Sequence, residues 1–219
     1  MSERRIVALN NGGVDALSCG RIHEAMFSFR HAMACLKRHK EILIAEGAVD
    51  LDECFPPSPV ACRIATDFST ISPSNMFEIY QCAFLLPKNE SIMKNANETV
   101  VTLAYNLALA VHLVGLREQN EKLLMEALRY YKLAVAALQS HVFSHVSNQT
   151  RIFLGSITNL GHIYSHFWDI DKSKECGDFL FAILSSFSDD QQLLQDDHYS
   201  FFCGMAFGVK YSCHSAPAA

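Results

Sequence analysis

Five segments of this chain bring an apolar residue back every three or four positions, and that spacing constrains the fold more than any other feature. They run Ile22, Met26, Phe29, Met33, Leu36; then Val100, Leu103, Leu107, Val111, Val114; then Leu124, Leu128, Tyr131, Val135, Leu138. The fourth is Phe153, Ile157, Leu160, Tyr164, Phe167, and the fifth Cys176, Leu180, Ile183, Phe187. A helical turn of 3.6 residues puts each series on one face, so each predicted helix has a stripe to bury against a neighbour. A weaker helix covers Glu3 to Ser18, diluted by Gly12 and Gly13. Paired by short turns, these helices predict three antiparallel hairpins, at 3–45, 92–140 and 149–187. Stacking them gives a mainly α fold, an α-α array within a single domain spanning 1–219.

Residues 46–91 read as a loop-rich insertion between the first two hairpins, and 188–219 as a C-terminal segment. Within 46–72 the run Phe55-Pro56-Pro57-Ser58-Pro59 excludes helix, because proline removes a donor and biases its predecessor towards extended backbone. Two stretches have strand character. Residues 76–86 are rich in aromatic and branched side chains, and 199–212 alternate large with small or polar ones. An isolated strand cannot satisfy its backbone, so the two are expected to pair as a short two-stranded β element. A short helix over 199–209 is the competing reading.

Composition narrows the function classes. With 50% hydrophobic and 19% charged residues the chain can bury a core, which argues against disorder. A net charge of -5 and scattered Lys and Arg leave no basic face for nucleic acid. The longest apolar run, Val100 to Leu116, is interrupted by Tyr105, Asn106 and His112, and the start Met-Ser-Glu-Arg-Arg has no signal-like core. The expectation is therefore no membrane partner and a cytoplasmic or nuclear location. Eight cysteines without a C-x-x-C pair read as thiols.

The first hairpin carries Leu9-Asn10-Asn11-Gly12-Gly13, then Gly20-Arg21-Ile22-His23-Glu24-Ala25-Met26, then Phe29-Arg30-His31-Ala32. The second gives Leu107-Ala108, Gly115, Ala127, Tyr131 and Ala134, and the third Leu160-Gly161, Tyr164, Cys176, Leu180 and Ile183. Gly13 to Gly20 matches Ala108 to Gly115, and the steps through Ala25, Phe29 and Ala32 match those through Ala127, Tyr131 and Ala134. Small residues at these points let two helices cross closely. The pattern resembles the tetratricopeptide family over roughly two-thirds of the chain. On this alignment the second hairpin holds seven extra residues, since Gly115 to Ala127 is twelve steps and Gly20 to Ala25 is five. The third departs from the pattern, with Cys176 and Ile183 in place of alanines.

The resemblance implies a helical scaffold whose concave face takes a peptide or partner protein, with no catalysis and no cofactor. Asn11, Asn106 and Asn159 fall at equivalent places, each just before the small crossing pair, similar to the asparagines of kinesin-light-chain-type repeats. An amide offers one acceptor and two donors, enough to hold a peptide backbone or to tie one hairpin to the next. The expected contact site comprises Asn11, Asn106, His112, Asn159, His162 and His166, facing an unidentified protein or peptide. Val14, Leu17 and Leu109 beside them supply no cationic clamp for a terminal carboxylate.

A metal-binding protein is the alternative. His162 and His166 are spaced i, i+4, as are His141 and His145, and such pairs can hold zinc or copper if further ligands join them. The sequence between the first pair is Ile-Tyr-Ser, without the glutamate of a metalloprotease motif. No phosphate-binding glycine loop and no nucleophile elbow is present.

Overall fold

In the computed structural model, which describes residues 3–45, 60–64, 75–88, 96–138, 147–187 and 196–212, the three hairpins form as expected. They are α1 (Glu3–Ser18) with α2 (Ile22–Ala45), α3 (Ala96–Arg117) with α4 (Glu121–Leu138), and α5 (Asn148–His166) with α6 (Ile170–Ser186). A further helix, α7, spans Asp197–Ser212, and two short strands, β1 (Val60–Arg63) and β2 (Cys82–Leu85), pair antiparallel. The fold is mainly α with one small two-stranded sheet.

All three hairpins turn in the same way. Residues 19–21, 118–120 and 167–169 separate the helices, and in each the middle residue is left-handed: Gly20 (φ 73), Gln119 (φ 51) and Trp168 (φ 59). Its amide donates to the carbonyl three residues back, on Leu17, Leu116 or Ser165. The next amide, of Arg21, Asn120 or Asp169, donates to the carbonyl five back, on Ala16, Gly115 or Tyr164. This Schellman pattern satisfies carbonyls that the helix end would otherwise orphan. Following helices are capped from within the same turns: Asn120 Oδ1 accepts from the amides of Lys122 and Leu123, and Asp169 Oδ1 from that of Lys172.

The turns correct the repeat register. Because Gln119, not Gly115, is the counterpart of Gly20, the second hairpin aligns one helical turn later than its small residues suggest. Its supposed seven-residue expansion is not there. Asn11 and Asn159 precede their left-handed residues by the same nine positions, whereas Asn106 precedes Gln119 by thirteen. Only Asn11 and Asn159 are therefore equivalent.

The left-handed region costs an L-residue about 1–2 kcal/mol, while glycine's extra unfolded-state freedom costs about 0.5–1. Trp168 is 75% exposed and contributes little burial. Trp168→Gly is expected to raise stability by roughly 0.5–1 kcal/mol. A lowered denaturation midpoint would mean that the indole packs after all.

The described residues gather into two units, Met1–Thr66 with Gln81–Leu138, and Asp67–Tyr80 with Gln139–Ala219. In the first, α2 packs on both α1 and α3, α3 on α4, and β2 on α1 and α3. Ala108 and Ala127, expected at close crossings, are fully buried. The backbones do approach: a Cβ on Gly13 would stand 2.6 Å from the Phe29 ring, and one on Gly115 2.8 Å from Leu124. Helix α3 is buried on every face from Val101 to Leu116. Its segment Asn97–Arg117 is long and apolar enough to cross a membrane, but 94% of that window lies inside the protein, as for a core helix.

In the second unit α6 packs on α5 and α7. The expected strand at 199–212 is instead α7, and β2 pairs with β1, in the register Val60↔Leu85 to Arg63↔Cys82, rather than with the C-terminal segment. The alternation misleads because Tyr199, Phe202, Ala206 and Val209 also recur at helical spacing, and these four are the buried ones. Tyr199 secures the helix by donating its hydroxyl to the carbonyl of Leu184.

Candidate peptide-binding site

An asparagine amide has the donor and acceptor of a peptide group. In extended backbone, the N–H and C=O of one residue point the same way, so one amide can hold both as a neighbouring strand would. The first unit does this twice. Asn106 Oδ1 accepts from the Phe84 amide at 2.9 Å and its Nδ2 donates to the Phe84 carbonyl at 2.8 Å. Asn11 Oδ1 accepts from the Leu86 amide, and its Nδ2 donates to the Leu86 carbonyl, both at 2.9 Å. Asn10 braces the pair: its Nδ2 donates to the Phe84 carbonyl and to Asn11 Oδ1, and its Oδ1 accepts from Asn106 Nδ2 at 2.8 Å. Asn10 and Asn106 are fully buried, where such a network is favourable because every member is paired. Residues 81, 83 and 85 turn their backbone the other way, towards β1, as the bond from the Ile64 amide to the Gln81 carbonyl shows. The helix-facing edge of β2 is thus closed by side chains in place of a third strand.

The second unit repeats the device with Asn159. Its Oδ1 accepts from the Tyr80 amide at 2.8 Å, and its Nδ2 donates to the Tyr80 carbonyl at 3.3 Å. Upstream, Ser165 Oγ accepts from the Met76 amide at 3.1 Å, and the Asn75 amide nitrogen lies 2.8 Å from His162 Nε2. Phe77 is buried, with Gly161 of α5 against its ring: a Cβ there would stand 2.6 Å away. A Cβ on Gly177 of α6 would lie 3.8 Å from the far end of the same ring and 2.7 Å from Val209. The Tyr80 ring lies 4.6 Å from that of Phe202, and its hydroxyl 2.8 Å from His198 Nδ1.

The expected contact residues therefore divide. Asn11, Asn106 and Asn159 hold peptide backbone, and the backbone they hold is the chain's own, in residues 80–86. His112 is fully buried with its ring on Tyr131 and faces no groove, which corrects its expected role. His162 lies beneath the same segment. Burial, and secondarily the charge of His166, push its pKa down to about 3, so the imidazole is neutral. His166 is half-buried, edge-on to Phe167. His162 and His166 acquire no further ligand: among the described residues no three His, Cys, Asp or Glu cluster. His141 and His145 lie outside the described residues. Asn10, Asn75 and Ser165 were not anticipated, although Asn10-Asn11 inside a helix, where asparagine is a poor former, was a readable signal. No protein-family model, curated protein or solved structure matches the chain.

Proposed function

We propose that this protein is a non-enzymatic interaction scaffold that holds extended peptide segments by their backbones through asparagine amides projecting from helices. The observation that carries the reading is the two-bond grip, made by Asn159 on Tyr80, Asn106 on Phe84 and Asn11 on Leu86. Such bonds read N–H and C=O, which every residue but proline offers, so a partner's extended segment can satisfy the same amides that the resident one does. The polar groups of the site are committed to hydrogen bonding and not arranged around a reacting atom, which favours binding over catalysis.

Asn159→Asp tests this, because it keeps the acceptor for the amide and loses the donor to the carbonyl. Partners captured from an extract of the organism of origin by the wild-type protein should be lost or weakened several-fold with the variant, at matched circular dichroism. Equal capture by both proteins would move the contact surface elsewhere.

A further inference from the structure

The second unit does more than hold backbone. Three side chains of residues 75–80 have their own fitted surroundings, and the helices are built around them. Asn75 meets the buried imidazole of His162. Phe77 lies against Gly161 and reaches Gly177, two glycines in the middle of helices, where each costs about 1 kcal/mol relative to alanine. At Gly161 no side chain fits while the ring is present. Tyr80 is fixed at both ends, its backbone by Asn159 and its hydroxyl by His198, with Phe202 beside the ring. Between them Ile79 is buried and Glu78 is exposed. The fitted positions are thus one, three and six of a six-residue stretch, with an apolar residue at five and tolerance at four.

We propose that the second unit is a reader of extended peptides of the form Asn-x-Phe-x-(apolar)-Tyr, and that residues 75–80 are a resident copy of the motif it recognises. The proposal rests on the reading that the asparagine amides hold exchangeable peptide, and it adds the sequence chemistry of the partner. Tethering gives the resident copy an effective concentration in the millimolar range, so an external peptide competes only when the resident is weakened or the external segment is abundant.

The probe is a fluorescein-labelled synthetic peptide of residues 73–81, Pro-Ser-Asn-Met-Phe-Glu-Ile-Tyr-Gln, followed by anisotropy against the full-length protein. Phe77→Ala in the protein empties the ring slot and leaves Asn159, Gly161 and His198 in place. This variant should bind the peptide at least tenfold more tightly than wild type does, and a peptide itself carrying Phe77→Ala should bind it at least tenfold more weakly. If the peptide lacking the phenyl ring binds equally well, the motif is wrong while backbone holding stands. If the folded variant binds neither peptide, both readings fall and 75–80 is a fixed part of the unit. Should Phe77→Ala not fold, Asn75→Ala, which removes the hydrogen bond to His162 and leaves Phe77 and Tyr80 in place, is judged by the same criteria.

Discussion

Replacing Asn106 with alanine is expected to destabilise the first unit by roughly 2–5 kcal/mol, because it orphans two buried groups at once. The Phe84 amide loses its acceptor and Asn10 Oδ1 loses its donor, while the Phe84 carbonyl keeps the bond from Asn10. Asn106 and Asn10 are fully buried, so water cannot step in. Asn11→Ala provides the contrast: its site is half-buried, and solvent can replace much of what the amide supplied, for a cost of about 1 kcal/mol. Urea denaturation of the two variants ranks them. An Asn106→Ala loss below about 1 kcal/mol would show that the segment is held by its side chains and not by the amides.

The second large effect is acid lability through His162. An imidazole held near pKa 3 when folded and near 6.5 when unfolded binds its proton more weakly in the folded state. Its contribution is complete above pH 6.5 and is lost as pH falls towards 3, reaching on the order of 4 kcal/mol. The geometry gives the reason. Neutral Nε2 accepts from the Asn75 amide, whereas protonation sets donor against donor in a buried site and adds charge beside His166. His162→Gln should therefore lose less stability between pH 7 and pH 4 than wild type by a clear margin. Other groups, such as Asp196 beside Arg151, titrate alike in both proteins and cancel in the comparison. Identical pH profiles would place the acid sensitivity elsewhere.

The hairpins were legible because their apolar stripes are long and every turn is short. What misled was local size. Gly115 and Ala127 are small because helices cross there, not because a turn falls there, so aligning them with Gly20 and Ala25 displaced the second repeat by one helical turn. The left-handed positions are occupied by Gly, Gln and Trp, and two of these carry no left-handed signal. Asn11, Asn106 and Asn159 were identifiable as amides in a nonpolar setting, but not their occupant. Nothing in the spacing of 76–86 distinguishes a strand that pairs with another strand from one that pairs with side chains. The segment 199–212 shows the limit of alternation, since Tyr199, Phe202, Ala206 and Val209 satisfy a helix as well as a strand.

The order in which the chain is made gives the Tyr80 grip a further meaning. Residues 75–80 leave the ribosome before α3, yet the groups that shelter them, from Asn159 to Val209, are synthesised only after α4. At about 5–20 residues per second, roughly 6–26 s separate the synthesis of Tyr80 from that of Val209. During that interval Phe77, Ile79 and Tyr80 are an apolar stretch without the helices that receive it, while α1 and α2 and then α3 and α4 become available to fold. A newborn chain therefore displays this segment to whatever else can hold it, and completing the second unit is the step that withdraws it from view.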